Sequence, residues 1–174
     1  VLEGPAGVLQ GQRIPRYVID TTTGDPHETV ELAGRLDARG AALLDATICG
    51  SSGQLRNGEA ILMAGGTRKS FNACEPLLRV LADRVFYMGP SGSGSKCKLA
   101  TNLVLGLNRL VLAEGLVFAE QLGLDVELFL KVLKAGPAYS VAMDVKGEKM
   151  LKHDFAPESR IRQHHKDVAL MLRY

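Results

Sequence analysis

The chain has 174 residues, which suits one domain of ordinary size or slightly more. Hydrophobic residues make up 46% and charged residues 23%, a composition typical of globular proteins. The net charge of +2 gives no support for a nucleic-acid partner or for a charged membrane surface as partner.

Short apolar runs alternate with helical patterns in the first half of the chain. The predicted elements are strands at 17–20, 43–48, 60–64 and 85–88 and helices at 26–39 and 68–81. Asp25 is a predicted N-cap, Pro26 takes the first helical position, and Gly40 ends that helix. This order predicts a mostly parallel sheet with helices packed against it.

The second half is helical throughout. A long pattern at 96–122 ends at Gly123, and Asp125 begins a helix at 126–134. Further helical patterns cover 141–152 and 162–173. Because the long helix is apolar nearly all round, we expect other helices or a partner chain to cover it.

Within this long helix, residues 99–119 are the most apolar region of the chain. The region is interrupted by Asn102, Asn108, Arg109 and Glu114. They favour a buried helix of a soluble protein over a membrane span. The chain begins with Val1 and shows no signal sequence, and its three cysteines form no CxxC pair. We therefore expect a reducing compartment, the cytoplasm or alternatively the mitochondrial matrix, and no metal site.

The segment GPSGSGSKCKLATN, residues 89–102, allows several interpretations. A dinucleotide fingerprint is disfavoured because Cys97 stands where the third glycine belongs, and a P-loop is disfavoured because Ser95 replaces the lysine. A flexible glycine–serine linker remains open. On a helix, however, Lys98 and Asn102 share one face near the N-terminus, where free N–H groups offer a seat for a substrate carboxylate. A lysine can transfer a proton there while an asparagine holds the substrate.

Residues 89–102 resemble the interdomain segment GxxGxGxxxKLxxN of the β-hydroxyacid dehydrogenases, a family that includes 3-hydroxyisobutyrate dehydrogenase and tartronate semialdehyde reductase. The match in spacing is complete. The resemblance implies that Lys98 is the catalytic acid/base and that Asn102 orients the substrate.

Three further segments resemble family motifs in the same order. DTTTGDP, residues 20–26, is similar to DxSTxxP, which implies that Thr23 lies by the cofactor. DATICGS, residues 45–51, followed by Gly58 and MAGG, is similar to DAPVSGG…G…MVGG, which implies that Cys49, Gly50 and Ser51 bind the substrate carboxylate through backbone N–H groups. Phe155 and Pro157, with Lys166-Asp167 downstream, are similar to FxP…KD, which implies that Lys166 approaches the nicotinamide.

The chain also departs from the family pattern. Cys49 replaces a serine, and Ser51 replaces a glycine, where a side chain would be strained if φ were positive. The GxGxMG unit that opens the family's Rossmann sheet is not in this sequence. These departures motivate an alternative, a non-catalytic binding or assembly relative. A 6-phosphogluconate dehydrogenase is disfavoured because Thr101 stands where that branch is expected to place histidine.

We therefore predict an α/β part followed by an all-α part. Residues 1–88 would form the second part of a Rossmann-like sheet, and residues 89–174 an all-helical C-terminal domain of the 6-phosphogluconate dehydrogenase type. The expected cofactor is NAD or NADP, with a small 3-hydroxy acid resembling 3-hydroxyisobutyrate as substrate. We expect a homodimer or homotetramer, with no nucleic acid and no membrane as partner.

Overall fold

The structure is a computed structural model that describes residues 1–11, 13–157 and 160–174. Contacts divide the described chain into two compact units, Val1–Leu99 and Ala100–Tyr174. We call them the α/β unit and the helical unit and describe each by itself.

The α/β unit contains four strands and three complete α-helices within its described residues. In chain order they are β1 (Tyr17–Asp20), α1 (Pro26–Asp37), β2 (Ala42–Cys49), α2 (Ser52–Arg56), β3 (Ile61–Gly65), α3 (Arg68–Leu81) and β4 (Arg84–Gly89). A 3-10 turn at Val8–Gln10 precedes β1. The predicted strands and the two longer helices are present with shifts of two residues or fewer at their ends, whereas α2 was not predicted.

The sheet is mixed, with strand order β1-β2-β3-β4. β1 pairs with β2 and β3 with β4 in parallel, as predicted, but β2 and β3 run antiparallel. The connection between β2 and β3 contains only the five-residue helix α2. Such a connection is too short for the crossover that parallel neighbours need, so the chain turns back on itself.

Local chemistry sets the ends of α1. The Asp25 side chain accepts hydrogen bonds from the backbone N–H of His27 at 2.8 Å and of Glu28 at 3.4 Å, which confirms it as the N-cap. The chain leaves the helix through Gly40, whose φ of +80° is readily available only to glycine. Helix α1 therefore ends close to the predicted residue.

Two apolar clusters hold the α/β unit together. The larger lies between the sheet and α3 and comprises Leu44, Ala46, Ala60, Leu62, Ala64, Phe71, Cys74, Leu78 and Ala82. The smaller one, Leu9, Leu36, Ala41 and Leu43, joins α1 and the 3-10 turn to the sheet. Because both faces of the sheet are covered at β2, its side chains are buried without alternating between buried and exposed.

Four helices make up the second half. They are α4 (Ser93–Gln121), α5 (Val126–Ala135), α6 (Val141–Leu151) and α7 (Ile161–Met171). Gly123, with φ +73°, follows α4 as predicted. Leu112 and Leu116 of α4 pack with Leu130 and Met143 in the buried cluster of the helical unit.

Much of α4 remains uncovered. Seven of its large apolar side chains are exposed: Leu103, Val104, Leu107, Leu110, Val111, Val117 and Phe118. The described chain thus covers one stripe of a helix that was predicted to be covered all round. By length and composition α4 is also the one described helix able to cross a membrane, a property it shares with core helices of soluble proteins.

Candidate active site

The segment 89–102 is neither a flexible linker nor a phosphate loop. Strand β4 ends at Gly89, and helix α4 begins four residues later at Ser93. Gly89 and Gly92 have φ values of +129° and +87°, which disfavour any other residue. A Cβ on Gly92 would also lie 3.0 Å from the carbonyl oxygen of Pro26. These glycines therefore make a tight, packed turn into the helix.

A carboxylate of the chain itself occupies the start of α4. The buried Asp45 on β2 accepts hydrogen bonds from the backbone N–H of Gly92 at 3.0 Å and of Ser95 at 2.9 Å. The expectation that these N–H groups seat a substrate carboxylate is therefore wrong. Burial raises the pKa of Asp45, and the hydrogen bonds from Ser95 and Gly92 oppose that rise.

Helix α4 begins in direct backbone contact with the sheet. A Cβ on Gly94 would collide with the carbonyl oxygen of Asp45 and would lie 2.5 Å from that of Met63. The hydroxyl of Thr47 donates to the carbonyl oxygen of Gly94 at 3.0 Å. Gly65 on β3 is equally tight, because its Cβ would lie 2.8 Å from the Gly94 nitrogen. Gly94, the third glycine of the GxxGxG segment, thus allows α4 to pack closely against the sheet.

Lys98 and Asn102 stand on the same face of α4, one turn apart, as predicted. Lys98 is half-buried, whereas Asn102 is buried with 6% of its surface exposed. Two residues before Lys98, Lys96 is exposed. Both candidate residues therefore sit on a continuous helix whose first turn is anchored to β2 and β3.

Asn102 has a partner in the last helix that the sequence did not reveal. Its Nδ2 donates to Oδ2 of Asp167 on α7 at 2.8 Å, and both side chains are buried. The other carboxylate oxygen, Oδ1, lies 3.2 Å from Nζ of Lys166 but accepts no hydrogen bond from the described residues. The structure thus brings the predicted residues Asn102 and Lys166 to one carboxylate.

The packing of α7 on α4 extends one turn beyond this pair. A Cβ on Gly106 would lie 3.0 Å from Nε2 of His164, so glycine permits the close approach. His164 is half-buried there and His165 is exposed, in line with the divergence expected of neighbours on a helix. Within the described residues no three histidine, cysteine or acidic side chains gather as a metal site.

The predicted carboxylate-binding loop follows β2. Cys49 is half-buried, and Gly50 has φ +144°. Ser51 has φ −78°, so the expected strain is absent, and its hydroxyl caps α2 by accepting from the N–H of Gln54. The N–H of Ser51 in turn donates to Oε1 of Gln54 at 2.8 Å. A substrate carboxylate would have to displace the Gln54 side chain to reach this N–H group.

Thr23 lies in the loop between β1 and α1 and is half-buried. Asp20 and Asp25 organise this loop, since Asp20 accepts from the N–H of Thr22 at 2.9 Å and Asp25 caps α1. Beside the loop is a cavity of about 610 Å³. Its charged side chains are Arg35 and the acidic Glu3, Asp20, Asp25 and Glu28. Four carboxylates make this cavity unsuited to the phosphates of a dinucleotide.

Two family models together cover nearly the whole chain. Residues 1–89 match the NAD binding domain of 6-phosphogluconate dehydrogenase. Residues 92–174 match the model described as NAD-binding of NADP-dependent 3-hydroxyisobutyrate dehydrogenase.

Curated relatives bear similar names. The chain is 32% identical over 172 residues to "Probable 3-hydroxyisobutyrate dehydrogenase-like 1, mitochondrial" of Arabidopsis thaliana, covering 99% of the chain and 51% of that protein. It is 31% identical to 2-hydroxy-3-oxopropionate reductase of Escherichia coli, covering 99% of the chain and 59% of that protein. It is also 30% identical to human cytokine-like nuclear factor N-PAC, covering 97% of the chain and 31% of that protein.

A solved structure supports the fold. The structure of Psf3 in complex with NADP+ and 2-OPP has a TM-score of 0.84 and 22% identity, and covers 96% of this chain and 59% of that one. The chain thus spans between half and three fifths of the length of the two dehydrogenase-type relatives and of this structure. The motif match at 89–102 and the two family models agree, and the chain belongs to the β-hydroxyacid dehydrogenase family, whose cofactor is NAD or NADP.

Proposed function

We propose that the protein is an NAD(P)-dependent dehydrogenase of a small 3-hydroxy acid resembling 3-hydroxyisobutyrate, with Lys98 as its acid/base. The observation that carries the proposal is the arrangement on α4. Half-buried Lys98 precedes buried Asn102 by one turn on a helix whose start is anchored to the sheet. An amine one turn from a hydrogen-bonded carboxamide, both on an anchored helix, suits proton transfer to or from an oriented hydroxyl.

Each residue has a distinct role in this reaction. In the oxidative direction the unprotonated amine of Lys98 takes the hydroxyl proton as the carbinol carbon gives up its hydride and the C–O bond becomes a carbonyl. In reduction Lys98 returns the proton to the oxygen. Asn102 holds the hydroxyl oxygen in place, while Cys49, Gly50 and Ser51 bind the carboxylate of the substrate.

Nicotinamide, when bound, supplies the hydride acceptor or donor. Thr23 and Lys166 are the residues we assign to the cofactor side. The helical unit fits this assignment because Oδ1 of Asp167, beside Lys166, is a buried acceptor with no hydrogen bond from the described residues. A donor group of a bound ligand would satisfy it. The acidic cavity beside β1 and α1 is assigned to no part of the cofactor.

Substitution of Lys98 tests the catalytic assignment. We expect Lys98→Ala to lower kcat by about 10²- to 10⁴-fold, the usual contribution of a general acid/base. Lys96→Ala is the matched control, since Lys96 is exposed two residues earlier on the same helix. Turnover of 3-hydroxy acids is measured by NAD(P)H absorbance, and circular dichroism checks that both variants are folded. Near-normal turnover by Lys98→Ala would refute the role of Lys98.

A non-catalytic binding or assembly module is the second candidate. It is favoured by the similarity to N-PAC and by the N–H of Ser51, which the chain itself occupies through Gln54. Fluorescence titration of the full protein with NADH and NADPH separates the two candidates. Binding of either nucleotide with turnover supports the dehydrogenase, and failure to bind both supports the module.

A further inference from the structure

The contact between Asn102 and Asp167 determines which end of the carboxamide faces Asp167. An ionised carboxylate only accepts hydrogen bonds, whereas a carboxamide has a donor end and an acceptor end. The amide nitrogen of Asn102 must therefore face Oδ2 of Asp167, where it lies at 2.8 Å. The amide oxygen of Asn102 is then directed away from Asp167. The amide nitrogen carries a second N–H, which is left to donate to another group.

The surroundings favour a fixed orientation. Asp167 and Asn102 are 8% and 6% exposed, so water competes little for their hydrogen bond. Lys166 Nζ lies 3.2 Å from Oδ1 and compensates the charge of the buried carboxylate. One turn away, the missing side chain of Gly106 leaves room for His164, so α7 lies close to α4. The carboxamide is thus held by a charged acceptor on a packed helix.

Helix geometry relates this orientation to the reaction. Side chains on an α-helix tilt toward its N-terminus, which for Asn102 is the side of Lys98, one turn earlier. The second N–H of the carboxamide, presented on that side, donates to the substrate oxygen, which keeps a lone pair both as a hydroxyl and as a carbonyl while Lys98 handles the proton. A carboxamide oxygen in its place would repel the carbonyl oxygen, because neither has a proton to offer.

We propose that Asp167 is a positioning residue that fixes the Asn102 carboxamide so that its second amide N–H donates to the substrate oxygen. In this role Asp167 touches no reacting atom and acts on the substrate only through Asn102. The inference rests on the proposed dehydrogenase function and adds the residue that sets the direction of the Asn102 hydrogen bond.

Substrate kinetics of Asp167 variants test the proposal. Without its partner, Asn102 populates two amide orientations in each of about two χ1 wells, and only one of these states is productive. We therefore expect Asp167→Ala to lower kcat/KM for the hydroxy acid roughly four- to tenfold, mostly by raising KM. Asp167→Asn should lose only about twofold, because its oxygen still accepts but no longer discriminates the two amide orientations. Gln163→Ala, exposed on the same helix, is the control and should match the wild type.

A double-mutant cycle separates positioning from stability. If Asp167 acts through Asn102, then Asp167→Ala should change the KM for the hydroxy acid no further in the Asn102→Ala background. A structural role alone would lower the melting temperature of Asp167→Ala and leave that KM unchanged. An unchanged KM in an active enzyme, or equal effects of Asp167→Ala in both backgrounds, overturns the proposal.

The side-chain amide signal of Asn102 gives a readout without turnover. We expect the ¹H–¹⁵N spectrum of the full protein to show one Asn102 amide proton shifted downfield and protected from exchange, as a charge-assisted hydrogen bond requires. Asn102→Ala assigns the signal, and Asp167→Ala should abolish the shift and the protection. An unshifted, unprotected signal in the wild type overturns the inference by itself. A wild type that shows the shift but turns over no hydroxy acid overturns the proposed function instead.

Discussion

At the scale of single residues, Asp45 is a carboxylate whose burial and hydrogen bonds work against each other. It is 2% exposed on β2 and accepts from the N–H groups of Gly92 and Ser95 at the start of α4. The positive end of the helix and the two donors favour the charged form. Burial disfavours it and is the larger effect, since the pKa of Asp45 is raised. Charge at this position therefore costs free energy at neutral pH.

This balance predicts a pH dependence of stability. Because the folded state raises the pKa of Asp45, the folded protein binds this proton more tightly than the unfolded chain does. The stabilising contribution is fully present below the unfolded pKa, about 3.9, and is lost as pH rises through the folded value. Asp45→Asn does not titrate, so the stability of the wild type relative to this variant should fall over that range.

Urea unfolding of the wild type and of Asp45→Asn from acidic to neutral pH checks this prediction. Subtracting the two free energies of unfolding removes the titration of all other groups that the two proteins share. A difference that stays constant, or that grows in favour of the wild type as pH rises, would contradict it.

At the scale of elements, helix ends could be predicted from caps and periodicity, whereas tertiary contacts could not be predicted. Asp25, Gly40 and Gly123 mark helix ends in the sequence and do so in the structure, because capping depends on neighbouring residues. Helix α2 was missed because five residues carry too little apolar periodicity. The contacts of Asp45 with Ser95 and of Asn102 with Asp167 join residues 50 and 65 positions apart, which no local pattern encodes.

The start of α4 provides a test of how closely helix and sheet pack. A Cβ at Gly94 meets carbonyl oxygens of β2 and β3, which cannot rotate away. We expect Gly94→Ala to destabilise the protein by about 1–3 kcal/mol, the usual cost of overpacking. Gly115→Ala on the same helix has no atom within 4 Å of the added Cβ. That control should gain about 0.5–1 kcal/mol from helix propensity.

Chemical unfolding of the two glycine variants distinguishes packing from propensity. Both substitutions add the same methyl group to the same helix, so only the neighbours differ. Equal gains in the unfolding midpoint would show that Gly94 is not needed for the contact of α4 with the sheet.

At the scale of the whole molecule, the family and fold class were predictable and are confirmed. Four ordered motifs carried the β-hydroxyacid dehydrogenase resemblance, which the two family models bear out. The strand direction within the sheet was only partly predictable, because β2 and β3 are joined by a short connection that reverses the chain. The extent of cover over α4 was not predictable, since apolar periodicity shows that a surface needs burial without showing what buries it.

That uncovered surface predicts self-association. Leu107, Val111 and Phe118 of α4 are 50%, 67% and 61% exposed, and exposed apolar faces of this kind drive oligomers. We expect the wild type to sediment as a dimer or larger species. Leu107→Glu combined with Val111→Lys should shift it to monomer without loss of helix, since the pair also forms a favourable i,i+4 ion pair. Val80→Lys, at a position 79% exposed on α3, is the control and should sediment like the wild type.

Identical sedimentation of the double variant and the wild type would assign the α4 face to some other partner. The reason is that burying two new charges in a subunit interface costs more free energy than a dimer of this kind tolerates.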